Sequence, residues 1–243
     1  MARNHGPIAG SHGTVGAIVV AAGASRRMGG IDKIFAPLDG LPLIAHSLHV
    51  LNSLDCVKQI VLVLSEGNLD RGGELIASES MTKVTHVCEG GSRRQDSVLI
   101  GLNRLDGCDW VAVHDGARPL LTDDIVLRGL KSVVETRATT AAVRVKDTIK
   151  IVEDDGTVTS TPARGRLWAV QTPQIFAHDL LRNAHDGVKT DVTDDASMVE
   201  MIGGKVKVFE GSYENIKVTT PEDLIFAESI LKQRPAHTPG ASS

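Results

Sequence analysis

The chain has 243 residues, of which 42% are hydrophobic and 23% are charged, and its formal net charge is −4. These proportions are typical of a soluble globular protein with a substantial core, rather than of a disordered or fibrous chain. Aromatic residues make up only 3% and no long basic run is present, which disfavours nucleic acid and anionic membrane surfaces as partners.

The cysteines and the chain ends bear on cellular location. Cys56, Cys88 and Cys108 lie far apart and form no C-x-x-C pair, so the sequence indicates neither a disulfide framework nor a zinc site and favours a reducing cytoplasm. No apolar run is long enough to span a membrane, and nothing near the amino terminus resembles a signal peptide. Residues 1–16 and 235–243 are rich in small and polar residues, and we expect both segments to be disordered.

Strand and helix patterns alternate between these ends, and we expect residues 17–234 to form a single domain. Short β-branched runs predict strands at residues 17–22, 59–64, 83–88, 109–114 and 139–145. Apolar residues at three-to-four spacing predict helices at residues 42–54, 92–105, 123–136 and 221–232. This alternation predicts an α/β fold, with a mostly parallel twisted sheet and helices on both faces.

A β-hairpin interrupts the alternation after the fifth predicted strand. The run RVKDTIKIV at residues 144–152 continues past its strand, turns at the DDG of residues 154–156 and returns through residues 158–166 without a helix. A projecting arm of this kind exposes its edges, so we expect a partner subunit to cover it. The sequence therefore predicts a homodimer whose contact is the arm at about residues 146–168.

A loop that contains glycine and arginine follows the first predicted strand. Its run GASRRM at residues 23–28 fits neither a P-loop nor a dinucleotide fingerprint, because methionine and serine stand where glycine is required. Arg26, Arg27 and, further on, Lys33 place three cations after a mobile backbone. This loop by itself is compatible with a phosphate site at a strand end and also with a solvated basic turn.

A second such loop, EGGSRRQDS at residues 89–97, follows the third predicted strand. Ser92 is placed to cap the next helix, and the plain interpretation is a strand-to-helix turn with exposed arginines. Parallel strands, however, bring successive loops to the same edge of a sheet. We therefore expect the two loops together to hold an anion or the polar edge of a base.

The run VHDGARP at residues 113–119 contains the end of the fourth predicted strand, which is followed by the acid Asp115. Asp115 can hold a ribose hydroxyl or a magnesium ion, and Arg118 can bind a phosphate with two hydrogen bonds; the alternative is a local ion pair between these two residues. His114 is interpreted as a packed residue without a chemical role. In TDDAS at residues 193–197, the two acids are interpreted as a helix cap.

The chain resembles the 2-C-methyl-D-erythritol 4-phosphate cytidylyltransferase family across residues 17–232, through motifs that occur in the family's order. These are AAGASRRMGGIDK, GGSRRQDSV, VHDGARP, KDTIK, LWAVQTPQ, TDDAS and NIKVTTPEDL. The resemblance implies a nucleotide-diphospho-sugar transferase-like fold that transfers a cytidylyl group from CTP to methylerythritol phosphate. The products would be CDP-methylerythritol, for isoprenoid precursor synthesis, and pyrophosphate.

The resemblance also implies roles for individual residues. The nucleotide would be bound by Ala21, Ala22, Gly23, Gly91, Arg94, Ser97 and Asp115, and Asp115 would also bind Mg²⁺ or another divalent cation. The transition state would be stabilised by Arg27 and Lys33, although the loop between them is a residue shorter than is usual in the family. The acceptor phosphate would be held by Arg118, Thr148, Arg164, Thr193 and Lys217, with Arg164 reaching across the homodimer on the arm.

Two other functions remain open at this point. A cytidylyltransferase for another polyol phosphate, such as ribitol 5-phosphate, would have nearly the same nucleotide half. A non-catalytic sensor would keep the fold and bind CTP without releasing pyrophosphate. Hydrolysis through a covalent nucleophile has little support, because the chain has no G-x-S-x-G elbow and no cysteine in a recognisable catalytic setting.

Overall fold

The computed structural model describes residues 13–23 and 32–234. The strands are β1 Val15–Ala21, β2 Pro37–Leu38, β3 Leu41–Pro42, β4 Val57–Leu64, β5 Val84–Glu89, β6 Trp110–Asp115, β7 Ala138–Arg144, β8 Ile151–Val152, β9 Val158–Ser160, β10 Trp168–Ala177 and β11 Lys207–Glu210. The α-helices are α1 Leu43–Ser53, α2 Leu69–Ser78, α3 Arg94–Leu102, α4 Asp123–Thr136, α5 His178–Gly187, α6 Asp195–Met201 and α7 Pro221–Gln233.

Seven of these strands form the central sheet, in the order β11-β7-β10-β6-β1-β4-β5. The pairs β1–β4, β1–β6, β4–β5 and β7–β11 are parallel, whereas β10 runs antiparallel to both β6 and β7. The carboxyl ends of β1, β4, β5 and β6 consequently lie along one edge of the sheet, which is where α/β proteins bind ligands.

The two faces of the sheet are covered by different helices. On β1, Ala17 and Val19 belong to a buried cluster that includes apolar residues of α1, α2 and α4. Ile18, between them, belongs to a second cluster with apolar residues of α3, α5 and α6. Successive side chains of a strand point to opposite faces, so each face buries its own helix layer, as predicted for an α/β fold.

Each strand and helix predicted from the sequence is present, with its ends within three residues of the prediction. The sequence patterns missed β10, because its central QTPQ breaks the apolar run and a proline disfavours a central strand. The ladder between β10 and β7 is irregular at this point, between Val170 and Gln174. The patterns also missed α2, α5, β11 and the two-residue strands β2 and β3, and they indicated α6 only through its interpreted cap. Of these, α6 and β11 have only 7 and 4 residues, too few for a periodic signal.

In the segment where a hairpin was expected, β8 and β9 pair antiparallel. Their apolar side chains face solvent in the single chain, with exposed fractions of 53% for Ile151 and Val152 and 52% for Val158. Two aromatic rings at the base of this hairpin make cation–π contacts. The guanidinium of Arg144 lies over the ring of Trp168, and the ammonium of Lys146 lies over the ring of Tyr213. The apolar residues of β8 and β9 therefore form an exposed patch on the single chain.

The amino-terminal extension was predicted to end at residue 16, which is too late in the sequence. Val15 and Gly16 already belong to β1, and Val15 is fully buried. The rest of that prediction up to residue 12, and the predicted disorder of residues 235–243, lie outside the described residues. Within the described part of the chain, no helix combines the length and the apolar character needed to cross a membrane.

His114 is a buried histidine in the middle of a local hydrogen-bond network. Its ring Nε2 lies 3.0 Å from the carbonyl of Arg118, and its Nδ1 lies 3.1 Å from Oγ1 of Thr172. A carbonyl only accepts, so Nε2 carries the proton and the neutral ring satisfies both contacts. Burial lowers the pKa of His114 to about 4.

We predict that this histidine makes the fold sensitive to acid. Its folded pKa lies below the unfolded value, so its stabilising contribution is complete above pH 6.5 and is lost as the pH falls toward 4. Between pH 7 and pH 5, His114 should account for about 2 kcal/mol of lost unfolding free energy. Urea denaturation at both pH values should show a smaller loss for His114→Asn. His86→Asn, at an exposed position, is the control, and an equal loss in wild type and His114→Asn would contradict the prediction.

Candidate active site

A cleft with a cavity volume of about 390 Å³ opens at the carboxyl edge of β1, β5 and β6. This volume lies within the range of about 300–1,000 Å³ that is usual for small-molecule sites. Nine of the residues predicted from the sequence line it: Ala21, Ala22, Gly23, Lys33, Gly91, Arg94, Ser97, Asp115 and Lys217. The cleft therefore joins the loops after β1 and β5, the end of β6 and the segment before α7.

A second cleft, of about 230 Å³, adjoins the first and shares Arg94, Asp115 and Lys217 with it. Arg118 and Thr193, both predicted to bind the acceptor, line this second cleft. The other lining residues come largely from β10: Val170, Gln171, Thr172 and Gln174. The shared residues form a boundary at which two ligands, one in each cleft, would meet.

Asp115 is the centre of this boundary. Its Oδ2 lies 2.7 Å from Nζ of Lys217, and its Oδ1 lies 3.2 Å from Nε of Arg94. Burial by itself would raise the pKa of Asp115, but the charges of Arg94, Lys217 and Arg118 outweigh burial and hold that pKa well below its usual range. The carboxylate is therefore ionised at neutral pH, with cations on both of its oxygens.

Arg118 approaches Asp115 without forming a close pair. Its Nε is 3.9 Å from Oδ2 of Asp115, whereas its Nη1 donates to the carbonyl of Asn215 at 2.7 Å. Among the described residues, the buried Nε of Arg118 has no hydrogen-bond partner. The local ion pair considered from the sequence is thus loose, and Arg118 lines the second cleft while one of its donors has no partner among the described residues.

The loop after β5 is shaped by close backbone packing. A Cβ at Gly90 would come within 2.4 Å of the Cβ of Ala22, and one at Gly91 within 2.4 Å of the Cβ of Asp96. The backbone N–H of Gly91 donates to Oγ of Ser97 at 3.1 Å. Both positions thus favour glycine, because any side chain there would displace the wall of the first cleft.

Ser92 does not cap α3 as predicted. The helix begins one residue later than that cap requires, with Arg93 in the cap position. Oδ2 of Asp96 accepts from the backbone N–H of Arg93 at 3.2 Å and from Oγ of Ser92 at 3.1 Å. The carboxylate within the first turn therefore satisfies the helix start in place of the serine.

Lys33 reaches the cleft despite the shortened loop before it. It begins a short 3-10 helix, Lys33–Phe35, whose start is capped by the Asp32 carboxylate accepting from the backbone N–H of Ile34 at 3.2 Å. Asp32 is also 3.2 Å from Nη1 of Arg71. Arg27, its predicted partner in the chemistry, lies outside the described residues.

Thr148 and Arg164 are not brought to either cleft of their own chain. Both are exposed at the base of the arm, and Nη1 of Arg164 donates to the carbonyl of Lys146 at 2.8 Å. Their predicted role in holding the acceptor stays a prediction, and it requires the arm of a second copy.

Asp195 binds the site residue Arg94, a contact that the sequence patterns did not predict. Of the two acids interpreted as a helix cap, Asp194 caps α6 by accepting from the backbone N–H of Ser197 at 3.0 Å. Asp195 instead lies fully buried, with its Oδ2 2.6 Å from Nη1 of Arg94. The run TDDAS contains no signal for which acid would cap the helix and which would pair, because the partner is 101 positions away.

Comparison with known proteins identifies the chain's relatives. A curated 2-C-methyl-D-erythritol 4-phosphate cytidylyltransferase from Dehalococcoides mccartyi is 48% identical over 219 residues, which cover 90% of this chain and 96% of the relative. One from Alkaliphilus oremlandii is 44% identical and covers 89% and 94% of the two chains.

Solved structures show the same fold. The crystal structure of 4-diphosphocytidyl-2C-methyl-D-erythritol synthase from Anaerococcus prevotii has a TM-score of 0.80 to this chain at 29% identity, covering 92% of this chain and 100% of that one. The family model for 2-C-methyl-D-erythritol 4-phosphate cytidylyltransferase matches residues 15–233. The resemblance read from the motifs is confirmed, and the chain belongs to the 2-C-methyl-D-erythritol 4-phosphate cytidylyltransferase family.

Proposed function

We propose that this chain transfers the cytidylyl group of CTP to 2-C-methyl-D-erythritol 4-phosphate, giving CDP-methylerythritol and pyrophosphate in the non-mevalonate isoprenoid pathway. The observation that carries the proposal is the pair of adjoining clefts that share Arg94, Asp115 and Lys217. A nucleotidyl transfer needs two anionic reactants side by side, and this boundary has fixed cations that reach both clefts.

The two clefts suit different ligands. In the first, small residues and tightly packed backbone at Ala21, Ala22, Gly23, Gly91 and Ser97 allow the nucleotide of CTP to approach the main chain. In the second, Arg118 has a spare buried donor and Thr193 a hydroxyl, which suit the phosphate and hydroxyl groups of a polyol phosphate. We therefore assign CTP to the first cleft and methylerythritol phosphate to the second.

The reaction is a direct displacement at phosphorus. An oxygen of the methylerythritol phosphate attacks the α-phosphorus of CTP and forms a new P–O bond. The bond from that phosphorus to the bridging oxygen breaks, and pyrophosphate leaves with the electron pair. Lys33, Arg94 and Lys217 reduce the repulsion between the reactants, while the clefts keep attacking and leaving oxygens in line.

We also propose that Mg²⁺ or another divalent cation takes part, with Asp115 as its protein ligand. The described residues contain no group of three acidic, histidine or cysteine side chains that could hold a metal. Mg²⁺ commonly uses one or two carboxylates and completes its shell with water and substrate phosphates, so the ionised Asp115 fits this mode. Bound there, the ion would neutralise charge on the triphosphate.

A homodimer and a cytoplasmic location complete the proposal. The dimer is supported by the exposed apolar residues of β8 and β9 and by the position of Arg164 outside both clefts of its own chain. The cytoplasm is supported by Cys56, Cys88 and Cys108, which are unpaired, as is usual in a reducing compartment.

The first prediction concerns the acceptor. Purified protein with CTP and Mg²⁺ should release pyrophosphate faster with methylerythritol phosphate than with ribitol 5-phosphate, because the second cleft would be shaped for the branched four-carbon acceptor. A coupled pyrophosphate assay measures both rates. Equal or reversed rates would contradict the acceptor assignment, and binding of CTP without release from either acceptor would indicate a sensor.

The second prediction concerns the proposed transition-state cations. Lys33→Ala and Arg27→Ala should each reduce turnover by about 100-fold or more, since one preorganised donor is worth roughly 3 kcal/mol of barrier. Thermal unfolding should be unchanged. Lys58 is exposed near the amino-terminal end of β4, away from the carboxyl ends of the strands where the clefts lie. The Lys58→Ala protein should have the turnover of the wild type. Normal turnover of Lys33→Ala would remove Lys33 from the mechanism.

The third prediction tests whether the arm serves the partner's site. Arg164→Ala should mainly raise KM for methylerythritol phosphate, because Arg164 would bind the acceptor. Subunits of Arg164→Ala and Lys33→Ala, mixed at acceptor concentrations where each alone is inactive, should regain about a quarter of wild-type activity, since half of the dimers would contain one intact site. If the arm instead serves its own chain, both sites of each mixed dimer are defective and no activity returns.

A further inference from the structure

Arg94 lies between two carboxylates, of which one lines both clefts and the other lines neither. Its Nε is 3.2 Å from Oδ1 of Asp115, and its Nη1 is 2.6 Å from Oδ2 of Asp195. The Arg94 side chain is 24% exposed, whereas that of Asp195 is 0% exposed. One guanidinium therefore bridges the site boundary to a carboxylate buried behind it.

The position of Asp195 is set by the fold rather than by Arg94 alone. The backbone N–H groups of Asp195 and Ala196 both donate to Oε1 of Gln174, at 3.1 and 3.0 Å. The amide nitrogen of Gln174 donates to Oδ2 of Asp194 at 2.7 Å and to Oγ1 of Thr140 at 3.1 Å. Gln174 thus fastens the start of α6 to the sheet, and the Asp195 carboxylate is already in place for Arg94.

The charge of Asp195 has one counterion in the described part of the chain. Its Oδ1 has no hydrogen-bond partner there, and Nε2 of His185 lies 3.9 Å from that oxygen. Burial lowers the pKa of His185, so the ring is neutral at pH 7. Burial also opposes the charge of Arg94, but the two carboxylates outweigh it and raise the pKa of Arg94.

A buried carboxylate with a single cationic partner does little for stability by itself. The cost of removing both charges from water offsets their attraction, and apolar replacements of such pairs are often equally stable. The pair does restrict where the guanidinium can go. Phosphates entering the clefts would otherwise draw Arg94 away from Asp115, and the buried Asp195, whose backbone is bonded to Gln174, opposes that movement.

We infer that Asp195 is a positioning residue for the proposed transfer, acting through Arg94. By holding Nη1, it keeps the guanidinium in the orientation that binds Asp115 and meets the substrate phosphates at the boundary of the two clefts. The inference rests on the proposed function, since it concerns the same site, and it assigns a role to a residue that does not line either cleft.

The test begins with Asp195→Asn, which keeps the shape of the side chain and removes its charge. The kcat for pyrophosphate release should fall on the order of 10- to 100-fold, as is typical when a group that orients a site residue is lost. Circular dichroism should remain that of the wild type. Asp179→Asn is the matched control, because it removes an exposed aspartate–arginine pair with Arg137 at the other end of β10, and its kcat should be unchanged.

A double-mutant cycle with Arg94→Met separates positioning from a general structural role. Arg94→Met should lower kcat and the thermal unfolding midpoint, because it leaves the Asp195 charge buried and unpaired. Adding Asp195→Asn to Arg94→Met should restore the midpoint and cost no further activity, because Asp195 acts only through Arg94.

Two results would each overturn the inference. One is a wild-type kcat for Asp195→Asn, and the other is a loss of kcat on adding Asp195→Asn to Arg94→Met that is as large as the loss in the wild type. Dissociation constants for CTP, measured by calorimetry on the same four proteins, give a second readout of the coupling. If the wild type releases no pyrophosphate with methylerythritol phosphate, the proposed function fails, and the CTP cycle still decides whether Asp195 orients Arg94.

Discussion

The attraction of three cations to one carboxylate, Asp115, holds the site together. Arg94 comes from α3, Arg118 from the turn after β6 and Lys217 from the segment before α7, and each lies within 4 Å of an Asp115 oxygen. Guanidinium and ammonium groups this close repel one another, so they stay together only around a negative charge. Asp115 thus holds the three cations together before any phosphate binds. The attraction that offsets their mutual repulsion comes from the protein and not from the substrate.

The antiparallel strand β10 supplies much of the wall of the second cleft. Lying between β6 and β7, it brings Thr172 beneath Asp115, whose backbone N–H donates to Oγ1 of Thr172 at 3.0 Å. The carbonyl of Thr172 accepts from Nδ2 of Asn215 at 2.8 Å, which ties the strand to the segment that bears Lys217. Through Gln174 the same strand also fixes the start of α6. The second cleft therefore depends on one strand that is inserted out of chain order.

The two clefts differ in how much of each a single chain supplies. The first cleft, to which we assign CTP, is formed by loops that follow strands of the chain's own sheet, including the tightly packed Gly90 and Gly91. The second cleft, to which we assign the acceptor, is lined by Arg118 and Thr193, whereas Arg164 on the arm lines neither cleft of its own chain. In the proposed dimer, the chain that binds CTP would rely on its partner to complete recognition of the polyol phosphate, which couples assembly to activity.

Residue patterns alone are enough to predict the alternation of strands and helices, the turn of the arm and the loops that contain glycine and arginine. These features depend on residues that are close together in the sequence. The sequence also placed Lys33, Asp115 and Lys217 at the site, through their motifs and family resemblance. Which charges pair depends instead on how the chain folds: Asp195 pairs with Arg94 across 101 positions, and Lys217 with Asp115 across 102. Such contacts depend on strand order, and a polar strand such as β10 leaves no periodic signal from which that order could be read.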